Sequence, residues 1–412
     1  MSEMPAPRRD TRLDVFRALA LVTIYVNHVP GTIYENLTHK NAGFSDAAEA
    51  FVLISGIAAG FAYGTKFQPG RRLLTTLRAW RRAGVLYVAH MMTTLLTLGI
   101  FAAGAVWFAQ PALMESINIQ RLVEAPVEAL LGLVTLGHQL GYNNILSMYA
   151  VVLLLLPGFL LVMRFGLGPL LVVSFGLWLA AGLWGVAPPN YPQPGVWFLN
   201  PLSWQFLFVI GLAGALDVRH GGSIPFVPWL AAAALAYVVV AFVWVRVPLW
   251  GIDVSLGLPA VLTGFDKTYL SAPRLLHVLA AAYLVVAIAP LNALARTDPR
   301  NPLAILGRHA LPVFIAGTLL SMFAQMLKAV YLPSLALDSA LIVGGIVLQF
   351  LLAFWLDWLG RLEKQAQTSR SVASKPAAAT PLAHPARQPN AASPASAAAF
   401  NRAAAISSRT SL

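Results

Sequence analysis

The chain has no cysteine among its 412 residues. That excludes a disulfide, a thiol nucleophile and a thiolate metal site. Charge is scarce too. Asp, Glu, Lys and Arg make up 11% of the chain, against roughly 25% in soluble domains. The deficit accompanies 58% hydrophobic residues and a mean hydropathy of +0.70, and together they imply a polytopic membrane protein. No internal repeat and no soluble catalytic domain is visible. The first apolar run ends in Asn27-His28-Val29-Pro30, without a small-residue cleavage pattern, so no cleavable signal peptide is expected. The eight histidines are scattered without metal-ligand spacing, so no metal is expected.

Long apolar runs are abundant. A span needs about 20 mostly apolar residues. Ten are predicted, near 13–30, 46–65, 83–108, 144–163, 168–186, 202–217, 225–246, 274–293, 303–327 and 336–360. The expected fold is therefore all-α, with about ten transmembrane helices. The net charge of +12 would suggest a nucleic-acid partner in a soluble protein. Here the positive residues are gathered in alternate connections, so the bilayer is the expected partner and nucleic acid is not. Arg8, Arg9 and Arg12 precede the first span, and Lys66, Arg71, Arg72, Arg78, Arg81 and Arg82 follow the second. Arg164, Arg219, Arg296, Arg300, Arg361 and Lys364 continue the alternation, which predicts cytoplasmic termini at both ends. Residues 1–12 form the N-terminal cytoplasmic segment and 13–360 the membrane domain. From 365 to 412 the composition turns to Ala, Ser and Pro, which predicts a disordered cytoplasmic tail.

Polar residues inside such a chain are the candidates for chemistry. Arg17 and His28 are eleven apart, so they differ by about 20° around one helix, and Asp14 lies about 40° from the same stripe. His28 stands roughly 16 Å above Arg17, at the outer end of the first span. In "NAGFSDAAEAFVLISG", Asp46 and Glu49 share a face at the outer end of the second span. Capping and the helix dipole explain them sufficiently as structure. A carboxylate beside His28 would also fix its tautomer and suit it to act as a base.

Three further outer segments bring polar groups to the same level. "LGHQLGYNN" supplies His138 and Asn143, and "FLNPLSWQ" supplies Trp204 and Gln205. "DKTYLSAPRLLH" supplies Asp266, Lys267, Arg274 and His277, the last two three apart on one helix. Singly, each reads as a cap or an interface anchor. Together with Asn27 and His28 they predict one shared outer cavity. On the cytoplasmic side, "KFQPGRRLLTTLRAWRR" and "LGRHALP" supply arginines without paired acids, Arg81, Arg82 and Arg308 among them. They either enforce topology or bind phosphate groups.

These stretches carry a resemblance. "RLDVFRALALVTIYVNHVPG", "NAGFSDAAEAFVLISG", "LGHQ", "NPLSWQ", "DKTYLSAPRLLHVLA" and "LGRHALPVF" resemble the OpgC family over about residues 10–360. That family is associated with succinylation of osmoregulated periplasmic glucans, and is similar to the wider group of integral membrane acyltransferases. The resemblance implies an inner-membrane O-acyltransferase. Its donor would be acyl-CoA, with succinyl-CoA the expected species and no cofactor bound permanently. Its acceptor would be a hydroxyl of a periplasmic glucan or other glycan. A histidine at the outer part of the first span is catalytic in that group, and His28 is the matching position. Asp46 or Glu49 would orient it. Arg274, Lys267 or His277 would stabilise the oxyanion or hold an acidic acyl group. Asn27, His138, Asn143, Trp204, Gln205, Asp266 and Lys267 would meet substrate, and Arg17, Arg81, Arg82 and Arg308 the CoA phosphates. The rival class is a transporter or flippase of a glycan or lipid-linked sugar. Against it, the halves show no repeat and no matching broken helices.

Overall fold

The computed structural model describes residues 10–253 and 255–373. Each predicted span is occupied by a helix. These are α1 (Arg12–Asn27), α2 (Ala47–Tyr63), α3 (Arg72–Trp107), α4 (Ile145–Val162) and α5 (Leu167–Trp184), then α6 (Pro201–Arg219), α7 (Pro228–Arg246), α8 (Ala272–Ala287), α9 (Ala310–Val330) and α10 (Leu335–Ala373). Among the described residues, eight helices are long and apolar enough to cross a membrane. The other two, α1 and α8, have 16 residues each, short of the about 20 that a full span needs. No strand occurs among the described residues beyond one isolated bridge between Pro189 and Val196.

Two expected spans are interrupted, and proline explains both. The run 274–293 breaks at Ile288, between α8 and a short helix Ala289–Leu294. Pro290 has no N–H for the Val286 carbonyl, which instead accepts from the Asn292 side chain at 3.2 Å. The run 303–327 breaks at His309, between a helix Pro302–Arg308 and α9. Pro312 likewise cannot bond the Arg308 carbonyl. The third helix starts at Arg72, well before the expected 83, so the arginine-rich connection is itself helical. The chain remains helical past 365 to Ala373. The rest of the expected tail, 374–412, and the arginines at 8 and 9 lie outside the described residues. The contacts divide the chain into two units, residues 1–361 and 362–412. The helical bundle is the first of these.

The central contact is α2 against α6. Gly56 and Gly60 form a small-xxx-small pair on α2, which lets backbones approach closely in a membrane. A Cβ at Gly56 would collide with the Phe208 carbonyl, and one at Gly211 with the Leu53 carbonyl. Around this contact the core gathers Leu21, Leu153, Leu207, Phe208 and Leu212, all fully or almost fully buried. Gly307 is pressed against the Asp14 carbonyl in the same way, which seats Pro302–Arg308 on α1. Tyr25 of α1 donates to the Leu341 carbonyl of α10 at 2.7 Å.

Candidate functional site

Among the described residues, two cavities bear on the site. The smaller, about 290 Å³, is lined by Asn27, His28, Lys40, Asp46, Tyr142, Asn144, Phe198, Lys267 and Arg274, with Ile24 and Phe314 deeper in. The larger, about 460 Å³, is lined by Arg17, Arg82, Arg308 and His309, with Ser55, Tyr63 and Tyr149 among apolar side chains.

At the smaller cavity, α1 ends at Asn27, and His28 is its C-cap. The Gln325 side chain donates to the His28 carbonyl at 2.7 Å, and Thr38 Oγ1 donates to Asn27 Oδ1 at 2.7 Å. These bonds fix where the imidazole leaves the helix. The ring stacks on Tyr142, with centroids 4.5 Å apart and planes 11° apart. Its Nδ1 is buried with no hydrogen-bond partner among the described residues.

The carboxylates are engaged elsewhere. Asp46 caps α2: it accepts from the Ala48 N–H at 2.8 Å, while Glu49 accepts from the Asp46 N–H at 3.0 Å. This reciprocal pattern is a capping box, with Asp in the Ser/Thr place. Lys267 Nζ donates to Asp46 Oδ2 at 2.5 Å, and Arg274 Nη2 lies 3.4 Å from the same oxygen. Glu49 is completely buried and accepts from Arg274 Nε and Nη2 at 2.8 and 2.5 Å. Neither carboxylate bonds His28 in this arrangement. The four charges form one balanced network, as burial demands. A lysine has three donors, so Lys267 keeps two beyond its Asp46 bond. Lys40, also lining the cavity, pairs with Glu35 at 3.1 Å.

A clamp of aromatic and amide groups holds the Lys267 loop. Trp204 Nε1 donates to the Lys267 carbonyl at 3.0 Å, and Trp178 Nε1 to the Leu270 carbonyl at 3.0 Å. The Thr268 N–H donates to the Asp266 carboxylate at 2.6 Å. Gln205 turns away to α5, donating to the Ser174 carbonyl at 2.9 Å and accepting from Ser174 Oγ at 2.5 Å. His277 is buried behind the cavity, its Nδ1 2.7 Å from Ser45 Oγ. His138 is buried, and burial holds its imidazole below the usual range. Asn143 donates to Thr97 Oγ1 at 3.1 Å.

The structure thus brings His28, Asn27, Asp46, Lys267 and Arg274 together around one cavity. Glu49, Trp204 and Asp266 support those groups from behind. His138, Asn143, Gln205 and His277 are not on the wall. Sequence reasoning passed over Lys40, Tyr142 and Phe198, which are on it. An aromatic ring in a loop has no periodicity to mark it, although Tyr142 does stand inside "LGHQLGYNN". At the larger cavity, Arg17, Arg82 and Arg308 are brought together, while Arg81 is exposed and lies off its wall. Two of these arginines have acidic partners, and for Arg308 this goes against expectation. Arg17 donates to Asp14 at 3.1 Å, and Arg308 pairs with Asp357 at 2.6 Å. The first partner is one helical turn away, and the second is brought in by α10. Arg82 has no ion pair among the described residues. Sequence reasoning also missed His90 of α3, which is buried with both ring nitrogens unpartnered among the described residues.

The model of the OpgC protein family matches residues 9–361, which takes in both cavities and all but the end of α10. The chain belongs to the OpgC family. A comparison with curated proteins returns no match. OpgC membership, with eight helices able to cross a membrane, makes this a multi-pass membrane protein of a glucan-modifying, acyltransferase-like family. Among the described residues, no group of three His, Asp or Glu side chains could hold a metal ion.

Proposed function

We propose that this OpgC protein moves an acyl group from a coenzyme A thioester in the larger cavity to a glucan hydroxyl in the smaller one. In this reading the Arg17 end faces the cytoplasm and the His28 end the periplasm, across the bacterial inner membrane. Both termini are then cytoplasmic. The observation that carries it is the His28 imidazole, which sits on a cavity wall, stacked on Tyr142 and bound to no carboxylate among the described residues. A hydroxyl is a weak nucleophile near neutral pH, and a positioned base raises its reactivity by about 10²–10⁴-fold.

The proton of the acceptor hydroxyl passes to His28 as its oxygen attacks the thioester carbonyl. The carbon–sulfur bond then breaks, and His28 returns the proton to the departing thiolate. The developing oxyanion needs fixed positive groups. Lys267 and Arg274 supply them, held in place by Asp46 and Glu49. The spare donors of Lys267 also suit an acyl group that ends in a carboxylate, which is why succinyl is the favoured cargo.

On the donor side, the lining residues Phe51, Ser55, Ala58, Ala59, Ala62 and Tyr63 follow one face of α2. From Phe51 to Tyr63 that face is about 18 Å long at 1.5 Å per residue. A cleft of this shape suits an extended thioester arm whose phosphates meet Arg17, Arg82 and Arg308.

The test is His28→Ala. The variant should reach the membrane at normal level, bind acyl-CoA in calorimetry with unchanged affinity, and transfer no acyl group by mass spectrometry of the glucan. Transfer at the normal rate would reject the base assignment.

A further inference from the structure

The two cavities meet at a shared lining residue, Phe314. On α2, Ala48 lines the smaller cavity and Phe51 the larger. On α4, the neighbours Ile145 and Leu146 divide in the same way. Phe314 of α9 is the one described residue on both walls. Its ring is buried, with 5% of its surface exposed, and packs on Phe51 with centroids 6.0 Å apart and planes 27° apart.

We propose that Phe314 seals a continuous passage through the bundle and controls which part of the donor enters the His28 cavity. This rests on the functional reading above, in which a thioester carbonyl must reach His28. Arg17 and His28 line different cavities, so donor and base share no space while the ring is in place. An aromatic side chain suits the task because two torsions move it. Its position two residues after Pro312, where α9 starts anew after the break at His309, leaves the preceding turn short of one backbone bond. With the ring closed, water from the His28 side is kept from the thioester, which guards it against hydrolysis.

The absence of cysteine gives a direct test. A single Ala48→Cys variant places one thiol in the smaller cavity. In sealed membrane vesicles, an impermeant maleimide is added from one face at a time and labelling is read by mass. With Phe314 intact, the thiol should react from the His28 face only. With Phe314→Ala added, it should react from both faces, and the rate from the Arg17 face should rise by about tenfold or more, because the open population sets that rate. Phe314→Leu should fall between the two. Labelling from the His28 face in each double variant shows that the cavity has formed. Equal rates from the Arg17 face with and without the ring would overturn the proposal. So would a protected thiol in Phe314→Ala when an Ala59→Cys control in the larger cavity is labelled. These readouts do not depend on acyl transfer. A second assay, acyl-CoA hydrolysis without acceptor, should rise in Phe314→Ala. Labelling from both faces with no such rise would keep the passage and reject the donor reading.

Discussion

Glu49 separates two roles that the sequence leaves open. If it orients His28, its loss stops transfer and leaves the fold alone. In the structure it does something else: completely buried, it receives both Arg274 nitrogens and the Asp46 N–H. Glu49→Gln keeps the shape and removes the charge. It weakens two charge-assisted bonds, each worth about 1.5–3 kcal/mol, and leaves Arg274 short of a counter-charge. Breaking a buried pair from one side costs about 3–5 kcal/mol. That is a large part of the roughly 5–15 kcal/mol that holds a protein folded. The expected result is therefore a less stable protein, measured as a lower unfolding midpoint in detergent. The double variant Glu49→Gln with Arg274→Gln should lose less than the sum of the single losses, because the two side chains form one unit. Unchanged stability in Glu49→Gln with abolished transfer would refute this reasoning and restore the orienting role.

Other outcomes are expected from the same geometry. Tyr142→Ala removes the ring that His28 stacks on; such pairs are worth about 0.5–1.5 kcal/mol, so turnover should fall by roughly 2–12-fold with acyl-CoA affinity unchanged, while Tyr142→Phe should keep both, as steady-state kinetics and calorimetry would show. Arg82→Ala should weaken acyl-CoA binding by about tenfold or more, the loss of one charged hydrogen bond, whereas Arg81→Ala, off the cavity wall, should bind normally in the same titration. His90→Leu replaces two buried, unpartnered nitrogens with an apolar side chain, so the protein should unfold at the same or a higher temperature; a lower midpoint would mean that the imidazole has a bonding partner such as internal water.

Much of the bundle could be read from the chain because a bilayer imposes simple rules. Every polar backbone group must be satisfied within the segment, so an apolar run of span length becomes a helix. Each of the ten expected runs holds a helix, and eight of these helices are long and apolar enough to cross a membrane. The length rule fails where a local rule overrides it, at Pro290 and Pro312, since hydropathy does not register a missing N–H. It also misplaces the start at Arg72, because a helix can continue beyond the apolar stretch with its arginines exposed.

The site was legible in part, and the histidines show where the limit lies. His28, His138 and His277 all follow apolar or turn segments at the same level, and each is a plausible base from its neighbours in sequence. Only the packing between distant elements tells them apart. His277 meets Ser45, which is 232 positions away, and that bond takes it off the cavity wall. His138 is buried and lines neither cavity. His28 meets Tyr142, and the ring contact leaves it facing the cavity. The carboxylates follow the same logic. The spacing of Asp46 and Glu49 correctly gives a shared face and a cap, but which cation each takes depends on α8 lying beside α2. A stretch of sequence can show that a buried charge needs a partner; the partner's identity is a property of the bundle. That is why the expectation that a carboxylate orients His28 has to be decided by the Glu49 experiment rather than by spacing.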